Sequence, residues 1–164
     1  MNELNLPKLI EDSDILQRIN DLLNTDKALL WSGSATKIVC LPFTDKLADL
    51  LFKGLEDEKI TGGFDSINRI LSSEAKGLSQ VDKKTDQQRV KRISRLLVIS
   101  NDCSERFLRK IDKLAVDHKD RLLVVMLDID SERLGELIYG EDKLVKSLLL
   151  EHKEIVAEFL QALI

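Results

Sequence analysis

The chain has 164 residues, of which 43% are hydrophobic and 33% charged, and its formal net charge is −4 at pH 7. That length suits one domain, and the apolar share is large enough to bury a core, which excludes an intrinsically disordered chain. No apolar run approaches the ~20 residues a membrane helix needs, and the opening MNELNLPKLIEDSD lacks a basic segment followed by an apolar one, so a cytoplasmic protein with no membrane partner is expected. Cys40 and Cys103 lie far apart without CxxC spacing and read as reduced, buried thiols.

In chain order, Ile15, Leu16, Ile19, Leu22 and Leu23 fall on one face of a first helix. KALLW, the turn SGS and ATKIVCLP then read as a β-hairpin turning at Gly33, ended by Pro42. Thr44 is placed to cap a second helix striped by Leu47, Leu50, Leu51 and Leu55. The pair Gly62-Gly63 follows, between segments that both read as helix. Two residues this hostile to helix call for a turn with φ > 0 or a close backbone approach. A short helix burying Phe64, Ile67, Ile70 and Leu71 comes next, and the polar, unpatterned stretch after it predicts a flexible basic insertion over about 76–92.

The remainder alternates. LLVIS (96–100) is a strand, and Asp102 with Glu105 forms a D-x-x-E capping box for a helix striped by Phe107, Leu108, Ile111, Leu114 and Ala115. RLLVVML (121–127) is continuously apolar, as in a strand covered on both faces. SERLGELIYG is a helix stopped by Gly140, LVKSLLL (144–150) a strand, and HKEIVAEFLQALI an amphipathic helix. The fold class is therefore α/β: a three-layer α-β-α sandwich with a small mixed sheet, preceded by an N-terminal helix and hairpin.

Charge is unevenly spread. Residues 1–75 and 114–164 are each acidic by five charges, whereas residues 76–113 carry 11 basic and 5 acidic side chains. Such a basic centre fits a polyanion site or a solvated loop and helix face. His118 and His152 are isolated among charged residues, and no P-loop, G-x-S-x-G or G-x-G-x-x-G occurs, so no catalytic residue and no cofactor is expected. Asp128 and Asp130, in the D-x-D-S-E-x-x-G stretch, resemble the Mg²⁺-binding segment of Toprim domains, and aspartates at i and i+2 can hold Mg²⁺ for phosphoryl transfer. The competing reading is that Asp130 or Ser131 caps the following helix.

Taken together, KLADLLFKGLEDEK, ITGGFDSINRIL, LLVISNDCSERFLRKI and SERLGELIYG, in this order, resemble the kink-turn RNA-binding ribosomal proteins of the L-seven-Ae and L-thirty-e type, closest to the bacterial YlxQ-type branch. The likeness spans residues 44–164, which implies an RNA-binding domain there and leaves 1–43 as an extension that could meet a protein partner. It implies that Gly63, with Gly62 beside it, corresponds to the family glycine that lets the backbone and the start of the next helix press against sharply bent RNA. Asp65, Ser66 and Arg69 stand where the family has asparagine, glutamate and lysine. The family's second RNA loop reads Glu141-Asp142-Lys143 here, and Lys83, Lys84, Arg89, Lys91, Arg92 and Arg95 would add phosphate contacts. The expected function is a non-enzymatic protein bound to structured RNA, ribosome-associated and kink-turn-like RNA included. A Toprim-like enzyme and a protein-interaction module with a decayed RNA site are the alternatives.

Overall fold

The computed structural model describes residues 4–85, 91–140 and 142–164; Arg89 and Glu141 lie outside them. Helix α1 (Ser13–Leu23) begins where the Asp12 carboxylate accepts the amides of Asp14 and Ile15. Strands β1 (Ala28–Leu29) and β2 (Lys37–Ile38) pair antiparallel as the expected hairpin. The chain then leaves the hairpin immediately: β3 (Cys40–Leu41) joins a second sheet, parallel to a strand more than eighty residues later. Thr44 Oγ1 caps α2 (Asp45–Glu56), as its spacing predicts.

Ile60–Gly62 forms a short strand, β4, where the sequence suggests only a break between helices. Its single strongly apolar residue, Ile60, is too little for a period-2 signal, and its ladder comes from a distant partner. Helix α3 (Phe64–Thr85) is 22 residues long, roughly 33 Å at 1.5 Å per residue, and runs well into the stretch that reads as a flexible insertion. Glu, Ala, Lys, Leu and Gln there are good helix formers, so propensity supports a segment whose residues 79–84 are exposed.

The remaining elements are β5 (Arg95–Ile99), α4 (Glu105–Asp117), β6 (Leu122–Leu127), α5 (Ser131–Tyr139), β7 (Ser147–Leu150) and α6 (Lys153–Gln161). The main sheet has the order β3-β6-β5-β7-β4; β3, β6 and β5 are parallel, and β7 runs antiparallel to both β5 and β4. This is the mixed sheet of an α/β sandwich.

Successive strand residues face opposite layers. Leu96 and Val98 join Val125, Leu148 and Leu150 beneath α1, α2, α5 and α6, whereas Leu97 and Ile99 join Val124 and Leu149 beneath α3, α4 and the hairpin. Every residue of β7 is buried, and each fully enclosed leucine of this kind stabilises the fold by roughly 1.5–3 kcal/mol. Packing is continuous across residue 43: Leu6, Ile10, Ile19, Leu23 and Leu41 belong to the first of these cores. The hairpin is tied to α4 by the Asp112 carboxylate, which accepts hydrogen bonds from Trp31 Nε1 (2.8 Å), Ser34 Oγ (2.7 Å) and Thr36 Oγ1 (2.6 Å). The thiols differ from expectation, since Cys40 is exposed at the sheet edge and Cys103 only half-buried. Among the described residues no helix is long and apolar enough to cross a membrane.

Candidate nucleic-acid interface

The two glycines do different things. Gly63 has φ +90° and open space around its missing side chain, so it is there for the turn from β4 into α3. Gly62 has neighbours close by: a Cβ on it would lie 3.3 Å from the Tyr139 hydroxyl, a tight contact, and 3.5 Å from Leu148, an ordinary one. The turn leaves the first amides of α3 without intrahelical acceptors, at the positive end of a long helix. Ile67 N–H is the first to reach back, to the Gly63 carbonyl at 3.1 Å.

Facing this corner is the segment between α5 and β7, which carries Lys143 and Lys146. It is fixed at several points. Val145 N–H donates to the Ser131 carbonyl (3.0 Å), and Ser100 N–H donates to the Lys146 carbonyl (3.0 Å). Gly135 lets it lie against α5, where an added Cβ would come within 1.4 Å of the Lys143 carbonyl oxygen. Asp102 organises the same junction rather than capping α4. Its carboxylate accepts from Ser131 N–H (3.0 Å), Ser131 Oγ (2.7 Å) and Ser100 Oγ (2.8 Å), all from buried serines. Burial works to raise its pKa, but these hydrogen bonds outweigh it and hold the carboxyl below its ordinary value. The cap on α4 is Ser104, whose Oγ accepts Phe107 N–H at 3.2 Å. Serine and aspartate are both good caps, and here the aspartate is taken by a long-range partner.

Between these walls lies a cleft of about 310 Å³ lined by Gly62, Gly63, Phe64, Phe107, Tyr139 and residues 143–147. Phe64 and Phe107, expected in the core, are half-buried here and meet edge to face, centroids 6.1 Å apart at 71°. Each aromatic ring has a lysine over it: Lys110 over Phe64 (5.4 Å), Lys146 over Phe107 (5.9 Å) and Lys143 over Tyr139 (4.2 Å). The lysines are exposed, and among the described residues none forms an ion pair with a carboxylate. Flat apolar faces with cations beside them suit unstacked bases and phosphates together.

The structure divides the expected site residues into two groups. Gly62 and Gly63 line the cleft, and Asp65, Ser66 and Arg69 follow in the first two turns of α3, with Asp65 and Arg69 exposed. Lys83 and Lys84 lie at the far end of α3, and Lys91, Arg92 and Arg95 at the opposite end of β5. There Arg95 Nε and Arg121 Nη2 share the Glu74 carboxylate at 3.0 Å each, and Lys91 pairs with Asp120 at 2.9 Å. Arg92 donates to the Leu6 carbonyl at 3.2 Å, pinning the N-terminal segment.

Asp128 and Asp130 follow β6 at the carboxyl edge, as expected. Asp128 accepts from Asn101 Nδ2 (3.1 Å), and Asp130 caps α5 through Arg133 N–H (2.7 Å). Among the described residues no three His, Cys, Asp or Glu side chains come together as a metal site.

Sequence reading missed Phe64, Phe107, Tyr139, Lys110 and Lys146 as site residues. A usable signal was the Lys143-Leu-Val-Lys146 pair following a glycine-stopped helix.

No family model matches the chain, and no curated protein matches it. Among solved structures it is similar to one described as "Giardia lamblia 15.5kD RNA binding protein", with 15% identity over 72% of this chain and 84% of that chain, at a TM-score of 0.46.

Proposed function

We propose that the protein is a non-enzymatic binder of structured RNA, of the sharply bent, kink-turn-like class, and that the cleft beside Gly63 is where the RNA docks. The observation that carries this reading is the ring of Phe64, Phe107 and Tyr139, each with an exposed lysine over it, next to the free amides at the start of α3. Stacked bases gain from the rings, and phosphate oxygens gain from the lysines and the helix terminus. The sequence likeness to the kink-turn proteins supports the choice of bent RNA over plain duplex, whose base edges lie deep and out of reach.

Asp65 tempers the site. Its exposed carboxylate occupies the first turn of α3, where it stabilises the helix and repels an incoming phosphate.

The test is a fluorescence titration of labelled kink-turn RNA, plain duplex and single strand at low and moderate salt, with Lys143→Gln/Lys146→Gln alongside. The kink-turn RNA should bind tightest, and removing two phosphate contacts should reduce the salt slope by about 1.4–1.8. Equal affinity for all three RNAs would remove the bent-RNA assignment, and no binding at low salt would remove RNA altogether.

A further inference from the structure

Helix α4 presents a cationic face that shares Lys110 with the cleft and runs on beyond it. Arg106, Lys110 and Lys113 stand at i, i+4 and i+7, a single helix face, and all are exposed. Among the described residues none of them forms an ion pair or hydrogen bond. Two of the acidic side chains on α4 are engaged elsewhere: Glu105 pairs with Arg109 at 3.1 Å, and Asp112 accepts from Trp31, Ser34 and Thr36. Arg109 is itself held, paired with Glu105 and lying 4.6 Å over the Trp31 ring. Only Asp117, in the last turn, interrupts the cations on this side.

We infer that this outward face of α4 is a phosphate track for the RNA strand that leaves the cleft, an inference that rests on the RNA reading of the cleft. Lys110 makes the connection, since it lies over Phe64 in the cleft and is the middle cation of the track. The track descends from the cleft toward the C-terminus of α4, where Asp117 and the negative end of the helix set its limit. Three unpaired cations in a line give no base readout. They attract a sugar–phosphate backbone of any sequence, with an affinity that falls with salt. The other layer of the sandwich is unlike this one: α1, α2, α5 and α6 each carry more acidic than basic side chains. A backbone crossing the protein is thereby confined to the α3–α4 side. An acidic protein segment would find the same cations, but not the adjoining aromatic cleft.

The test compares kink-turn RNA with the same RNA carrying a single-stranded uridine tail at either end, using the intact chain and Arg106→Gln/Lys113→Gln. Both side chains are exposed and unpaired, so the thermal midpoint should be unchanged. The tailed RNA should bind the intact chain more tightly, and the variant should lose that advantage and about 1.4 of the salt slope while binding untailed RNA normally. A tail that adds no affinity, or a tail advantage that survives in the variant, overturns the track and leaves the cleft standing. Displacement of the tail by polyglutamate as readily as by polyuridine overturns the assignment to RNA backbone. If the intact chain binds neither RNA, track and cleft fall together.

Discussion

At the carboxyl end of β5, Lys110, Lys143 and Lys146 lie over aromatic rings with no carboxylate on them. At its amino end, Arg95 and Arg121 share Glu74, and Lys91 is paired with Asp120. Both ends are rich in cations, but among the described residues Arg95, Arg121 and Lys91 are taken up in ion pairs, whereas the three lysines at the carboxyl end form none. At the amino end Glu74 fastens α3 to the sheet through Arg95 and Arg121. A count of basic residues along the chain favours that amino end, because pairing is a property of the fold and not of the count. Availability, more than density, marks the candidate site.

Substitutions at each end should separate the two roles. The largest effect is expected from Gly135→Ala. A Cβ cannot sit 1.4 Å from the Lys143 carbonyl, so the segment carrying both cleft lysines must move. Thermal unfolding should show a loss of about 1–3 kcal/mol, and RNA affinity should fall with it. Retention of both would mean that the segment is not held by α5.

Glu74→Gln acts at the other end. It leaves two half-buried guanidiniums without their shared carboxylate, and stability should fall by about 1–3 kcal/mol while RNA affinity stays the same. A parallel loss of RNA binding would show that the two ends are coupled. Lys91→Gln, on a well-exposed pair, should change neither quantity measurably.

Acid stability tests the hairpin clamp. Burial works to raise the Asp112 pKa, but hydrogen bonds from Thr36, Ser34 and Trp31 outweigh it and hold the carboxyl below its ordinary value. A carboxylate depressed in the folded state contributes stability that is complete above the unfolded value and is lost as pH falls through the folded one. Unfolding followed on acidification should therefore steepen below the usual carboxylate range, and Asp112→Asn should flatten that part of the profile while lowering stability at neutral pH.

The smallest effect belongs to Asp65→Asn. It removes a favourable helix-terminus charge worth about 0.3–1 kcal/mol and should raise RNA affinity by roughly twofold to fivefold. A fall in affinity would instead mean that the carboxylate accepts a hydrogen bond from the ligand.

The sheet centre was legible because Leu96–Ile99 and Leu122–Leu127 are apolar on both faces, and helices with a clear stripe follow each. Gly63 and Gly140 were legible because left-handed backbone restricts the residue type. Less legible were elements whose stability comes from a distant partner. Thr61 and Gly62 become a strand only because Leu148 and Leu149 lie opposite them. Asp102 has a capping sequence, but its oxygens go to serines at the ends of two different elements. The cleft is the extreme case. Phe64 and Phe107 sit on helical stripes and so resemble core residues, and Lys110 on α4 is far in sequence from the segment that carries Lys143 and Lys146, the two being brought to one corner by the fold.

Strand β7 has a consequence for how the chain reaches this shape. It lies between β5 and β4, so neither gains its full set of neighbours until Ser147–Leu150 has been synthesised. A ribosome still short of that point holds a nascent sheet with a fully apolar gap in its middle and two unpaired edges beside it. Such edges invite pairing with other chains, and closing the gap needs contacts across long stretches of sequence, which are slow to form. Final folding should therefore be a late, all-at-once event, and a chain truncated before Ser147 should be captured by chaperones or aggregate rather than persist as a smaller folded domain.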